Sequence, residues 1–237
     1  MPSMTIDTTI NFAADAGGKD PDSYSPTLYK YHAMLWSKPL PNGTPFQLTI
    51  ERQGRVHRLR HESDAGTFTL SSDTLANSSR GPRRAFYEQM PPGVNERWHV
   101  DGGTIGGRLV FPANRVDGQQ TFNQARGWSP AIKDRFDLTL ESIRRHYDGG
   151  ESPLSEVLSR YDDFFGLFES FRGYAEFFLL QDLVAADTDE VRFYLPFDEF
   201  GGSPLPATYE EYVTFRDRQL EFVGARNERI LDALADL

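Results

Sequence analysis

The chain has 237 residues and no cysteine. Disulfide staples, thiolate nucleophiles and zinc sites with cysteine ligands are therefore excluded. Long hydrophobic runs are also lacking. The densest apolar stretch, from Phe164 to Val184, is interrupted by Glu169, Arg172, Glu176 and Asp182, so no segment reaches the roughly 18–20 apolar residues of a membrane span. The opening residues, MPSMTIDTTINFAADAG, carry neither a basic region nor an apolar run, and no secretory signal is read in them. Together these absences lead us to expect a soluble, cytoplasmic protein with no membrane partner.

Familiar catalytic motifs are missing as well. Gly17-Gly18-Lys19 has neither the spacing nor the Ser/Thr of a phosphate loop. Gly102-Gly103 and Gly106-Gly107 are not preceded by an apolar strand, which speaks against a nucleotide cradle. No nucleophile elbow, His-Glu-x-x-His pair or calcium loop occurs. His57 and His61 could share a hairpin face at metal-ligand spacing, but no carboxylate accompanies them, so they are read as core-packing side chains. No metal site and no cofactor is called for.

Charge is present but unevenly spread. The net charge is −10. Residues 1–150 hold 18 Lys and Arg against 16 Asp and Glu, and residues 151–237 hold 7 against 19. The acidic C-terminal part would repel a phosphate backbone. Arg52, Arg55, Arg58, Arg60, Arg80, Arg83 and Arg84 could form a basic patch. It lacks the interleaved aromatic residues that stack bases, so nucleic acid is the weakest of the partner readings.

Local patterning gives an α+β fold in a single domain, residues 1–237. A small antiparallel or mixed sheet packs against four to five helices from the C-terminal half. Residues 45–62 read as a hairpin turning at Gln53-Gly54, with Leu48 opposite Leu59, Ile50 opposite His57 and Phe46 opposite His61. Residues 64–104 read as mostly loop, with a short strand at Thr67–Leu70 and a mobile tip near Asn77–Arg84. Residues 107–112 and Val191–Leu195 read as strands.

Three Ser-Pro pairs, at 25–26, 129–130 and 152–153, mark helix starts. Ile132, Phe136, Leu140, Ile143 and Tyr147 make one apolar stripe, predicting a helix from Pro130 to about Tyr147. Further helices are predicted over Pro153–Phe171 and Tyr174–Val184, separated at Gly173. A last helix begins at Thr208, which has capping-box spacing to Glu211.

The informative feature is a polar set at core-facing positions. Asn123 and Arg126 lie where the chain turns toward the stripe helix. Arg135 flanks that stripe, whereas Lys133, Asp134, Asp137, Glu141, Arg144 and Arg145 form its solvated side. Arg226 and Asn227 fall on the apolar face of the last helix, and Asp182 lies among leucines. A buried charge is costly unless paired and hydrogen-bonded. These residues are thus either a structural network, with Arg226 on Asp182, or a pocket for an anionic or amide-bearing ligand.

The strings SPTLYKYHAMLWSKPLPNG, IGGRLVFPAN, FNQARG, IKDRFDLTLESIRRHY, SPLSEVLSRYDDFFGLFESFRGYAEFFLLQDLV and RFYLPFDEF resemble an uncharacterised bacterial family of unknown function. The resemblance covers most of the chain. It implies one co-linear domain and a bacterial intracellular setting, and it brings no reaction, ligand or catalytic residue. The expectation from the residues is a small-molecule protein or enzyme. Its ligand would be phosphate- or carboxylate-bearing, nucleotides included, held by Asn123, Arg126, Arg135, Asp182, Arg226 and Asn227. The alternative is a non-catalytic protein that binds a protein partner or another copy of itself, its arginines serving a structural network.

Overall fold

Strands and helices alternate in the first half of the chain, and the named elements of the second half are all helical, most of them short. The computed structural model describes residues 5–54, 56–77 and 83–235. Helices α1 (Phe12–Asp15), α2 (Pro21–Tyr24) and α3 (Pro26–Trp36) come first. Ser25 caps α3 as its sequence predicts, its hydroxyl accepting from the Leu28 amide, with Pro26 in the first turn. Strands β1 (Lys38–Pro39) and β2 (Pro45–Phe46) pair as a small sheet of their own. The main sheet is antiparallel, ordered β3 (Thr49–Gln53), β4 (Val56–Ser63), β5 (Gly66–Thr74) and β6 (Arg108–Pro112).

The hairpin exists, but its register differs from the expected one. Gln53 pairs with Val56 and Ile50 with Leu59, so the turn begins at Gly54, whose φ is +64°. The slip is two residues in pairing and so preserves which residues of β3 and β4 share a face, but Leu48 lies outside the strand and Ile50 is largely exposed rather than core-facing. Phe46 belongs to β2 rather than β3, yet its ring still stacks on His61 with centroids 4.1 Å apart.

Helices α4 (Arg84–Tyr87) and α5 (Pro92–Gly102) occupy the stretch expected to be loop. Of the expected mobile tip, residues 78–82 lie outside the described residues, as do Arg55 and Arg80 of the basic patch. Arg83 is buried, and Arg60 and Arg84 pair with glutamates.

Next come α6 (Phe122–Trp128), α7 (Phe136–Tyr147), α8 (Ser155–Ser159), α9 (Asp162–Gly166), α10 (Phe171–Phe177) and α11 (Tyr209–Ala235). The stripe helix starts six residues later than Pro130, because Lys133 and Asp134 both adopt left-handed backbone. The predicted 153–184 helices are likewise broken: left-handed Glu169 separates α9 from α10 and left-handed Leu179 follows the end of α10, whereas α8 and α9 part at Arg160 and Tyr161, where no residue is left-handed. Left-handed residues cost roughly 1–2 kcal/mol each, which tertiary contacts must offset, so local propensity does not reveal them. Gly173 is no breaker. It lies inside α10, where an added Cβ would come within 2.2 Å of the Phe168 carbonyl. The strand expected at Val191–Leu195 is a single bridge, Val184 to Val191.

The main sheet is covered on both faces. On one face α3 contributes Trp36, which meets Phe178, and α9 sets Phe164 against Phe68 of β5. On the other, Phe111 of β6 packs on Phe122 of α6 and Phe136 of α7. Buried apolar residues from Ile6 to Ile230 form one contiguous cluster. Among the described residues no helix is long and apolar enough to cross a membrane.

Candidate functional site

β4 accompanies β5 only as far as the Leu59–Leu70 pair. Beyond it, Ser71 to Thr74 pair with β6 alone, leaving their other edge without a strand. Open edges are normally covered, and here α2 packs against the end of β5. A cleft of about 230 Å³ remains along this edge, lined by Asp20, Asp22, Arg58, Ser71, Ser72, Asp73, Thr74 and Asn123 among others. Successive strand residues point to opposite faces of a sheet. At an open edge both faces meet the same cleft, so Ser72 and Asp73 can both line it.

On the α3 face a hydrogen-bonded series fixes Asp22. Trp36 Nε1 donates to His32 Nδ1 at 3.1 Å, and His32 Nε2 lies 3.0 Å from Ser72 Oγ. Ser72 donates to Asp22 Oδ1 at 2.7 Å, and Arg108 Nη1 donates to Asp22 Oδ2 at 2.8 Å. An indole can only donate, so His32 Nδ1 must be the acceptor and Nε2 carries the proton. His32 therefore donates to Ser72, the reverse of the direction that activates a serine nucleophile. Burial, with the charges of Arg226 and Arg108, holds the His32 pKa well below its usual value and keeps the ring neutral. The series is a positioning device for Asp22.

On the α6 face Asp73 accepts from Arg126 Nη1 at 2.7 Å and from the Thr74 amide at 2.9 Å. Arg126 is fully buried. Its Nε donates to Thr139 Oγ1 at 3.1 Å, and its guanidinium lies over the Phe111 ring. Asn123 donates to Ser71 Oγ at 3.2 Å, while its own Oδ1 is buried with no partner among the described residues. Burial raises the Asp73 carboxyl to about 7, and the nearby charges of Asp22 and Asp134 add to the rise against the lowering pull of Arg126. Of the three carboxylates that line the cleft, Asp22 and Asp73 differ in character. Both accept at each oxygen, Asp22 from Ser72 and Arg108 and Asp73 from Thr74 and Arg126, but Asp73 titrates near neutrality with a quarter of its side-chain surface open.

The six residues expected to form one site are distributed. Asn123 and Arg126 belong to this cleft and its wall. Arg135 immediately precedes α7 and turns its fork onto Asp137, with Nε–Oδ1 at 3.1 Å and Nη2–Oδ2 at 2.5 Å. Asp137 and Glu141 are buried, which corrects their assignment to a solvated face. Asp137 also accepts from the Tyr194 amide at 2.9 Å. Arg226 is buried as expected but does not reach Asp182. It donates to the main-chain carbonyls of Phe178, Ile105, Gly106 and Arg108. Desolvation lowers its pKa to about 9, so it remains charged at neutral pH. Asp182 pairs instead with Arg229, one turn further along α11, at 2.7 and 3.0 Å. Asn227 accepts from the Gly106 amide at 2.7 Å and donates to Thr104 at 2.9 Å.

Sequence reasoning did not identify Asp22, Ser72, Asp73 or Arg108. The one available signal was the polar run Ser71-Ser72-Asp73-Thr74 following the alternating strand residues Phe68 and Leu70. Among the described residues no group of three or more His, Asp or Glu could hold a metal ion.

No curated protein and no solved structure matches the chain. Residues 6–230 match the model of DUF6994, described as a family of unknown function, and the chain belongs to that family.

Proposed function

We propose that this protein binds a small polar molecule in the cleft along β5. The observation that carries the reading is the open strand edge, which brings Asp22, Asp73 and the unpartnered Asn123 carbonyl into one recess. An acid pair, an amide and Arg58 around a concave surface suit a ligand that offers hydrogen-bond donors. Any reaction there would use Asp73 as the acid or base, since effective proton transfer needs a group titrating near working pH. A phosphate- or carboxylate-bearing ligand has less support. Arg126 binds Asp73 and Arg135 binds Asp137, while three carboxylates line the cleft.

A thermal-shift screen tests this with neutral sugars, amines, nucleosides, nucleotides and simple carboxylates. A ligand at 100 times its Kd stabilises by about 2.7 kcal/mol. The expected outcome is stabilisation by a neutral or cationic compound that Asn123→Ala abolishes and Asn227→Ala preserves. No stabilisation by any compound at millimolar concentration, or equal stabilisation in both variants, would sink the reading.

A further inference from the structure

A second recess, of about 330 Å³, continues from the end of β5 toward α5 and shares Asp20, Asp22 and Thr74 with the cleft. We propose that it is a separate binding site for a neutral carbonyl group bearing an N–H, of the carboxamide or urea class. The inference does not depend on what occupies the cleft.

Two lining side chains carry the argument. Trp98 and Arg108 are 5% and 7% exposed, and both line the recess. Trp98 Nε1 and Arg108 Nε are buried N–H donors with no hydrogen-bond partner among the described residues. Buried donors are almost always satisfied, so two on side chains that line one recess call for an acceptor. Trp98 and Gly102, one turn apart on α5, line the recess together. A Cβ built on Gly102, itself a lining residue, would sit 3.9 Å from Trp98 Cε2, the carbon bonded to Nε1.

Charge selects the kind of acceptor. The positive charge of Arg108 is already balanced by Asp22 at 2.8 Å, and the Asp20 carboxylate stands at the shared rim. The recess therefore offers N–H donors without spare positive charge, and an anion entering it would meet two carboxylates. Burying an anion without a compensating cation is far costlier than burying a carbonyl. Asn77, 5% exposed, also lines the recess and engages Asp134 through its Nδ2 at 3.4 Å. Its Oδ1 has no hydrogen bond among the described residues and can accept the N–H of the same ligand. Donors and an acceptor on one recess match the two edges of an amide.

The test uses the intact 15N-labelled protein and the indole N–H signals of Trp36, Trp98 and Trp128, with Trp98→Phe identifying the second of them. Acetamide, acetate and inorganic phosphate are titrated separately. The expected result is a saturable shift of the Trp98 signal with acetamide, at lower concentration than with acetate or phosphate, while Trp128 stays in place. Asn77→Ala keeps the reporting indole and should weaken the acetamide response. Four results would each overturn the proposal: an unmoved Trp98 signal, equal movement of Trp128, an unaltered response in Asn77→Ala, or saturation at lower concentration with either anion. The Asn123 side-chain amide in the same spectra reports the neighbouring cleft, so failure of one site is distinguished from failure of the other.

Discussion

Arg226 makes its shortest hydrogen bond, 2.7 Å, to the main-chain carbonyl of Arg108. It thereby ties α11 to the start of the strand that carries the partner of Asp22. The same guanidinium reaches the Phe178 carbonyl at 3.0 Å, joining the end of α10 to both. A planar fork with five donors is suited to collecting several carbonyls at once. Arg226→Ala leaves those carbonyls buried without partners and opens a cavity, so its cost should be about 3–5 kcal/mol. Asp182→Ala should cost no more than about 1 kcal/mol, because its partial exposure makes the pair with Arg229 resemble a surface ion pair. Denaturant melts of the two variants provide the check. Similar costs for both would show that Arg226 depends on the carboxylate rather than the carbonyls.

Gly106 explains a glycine pattern that has nothing to do with phosphate. A Cβ at this position would lie 2.4 Å from the Val223 carbonyl and 2.6 Å from Asn227 Oδ1. The glycine lets α11 approach closely enough for Asn227 to accept the Gly106 amide. Gly106→Ala should therefore destabilise by about 1–3 kcal/mol, the usual cost of overpacking. Gly224, on the same helix, has nothing within 4 Å of an added Cβ. Gly224→Ala should stabilise by roughly 0.5–1 kcal/mol, because alanine loses less backbone entropy in a helix. Thermal melts that move both variants in the same direction would contradict this account of the contact.

The α+β class was legible because turn signals and period-3.6 patterns are local, as in the hairpin turn at Gly54 or in Phe136, Leu140 and Ile143. Ser25 as a cap and Thr208 as the start of α11 were legible for the same reason. The alternation of Phe46, Leu48 and Ile50 misled, since it spans two strands of different sheets. Burial of Arg126, Arg135 and Arg226 was also legible, since each sits on or beside an apolar face. Their partners were not. Asp73 lies 53 residues from Arg126, and a carbonyl partner such as that of Phe178 leaves no trace in side-chain type. The cleft arises where β4 leaves β5, an event of sheet pairing that neither strand's own pattern records. The left-handed residues Lys133, Asp134, Glu169 and Leu179 were hidden because none is a glycine.

Asp73 should make stability fall as pH rises toward neutrality. Its carboxyl titrates near 7 when folded, against an ordinary value of 3.8. Between about pH 4 and 7 the unfolded chain has released this proton while the folded protein still holds it. The folded state binds more protons in that window, so the linkage slope is negative and the group's contribution weakens with rising pH. Above about 7 both states are ionised and the contribution is constant. Asp73→Asn removes the titration while keeping an oxygen acceptor for Arg126. The melting temperature of the variant relative to the native protein should therefore climb from pH 4 to 7 and level off beyond. His32 and the other titrating groups are common to both proteins and cancel in the difference. Parallel melting curves across pH 4–8 would mean that Asp73 ionises like an ordinary surface aspartate, and would remove it as the acid or base of the cleft.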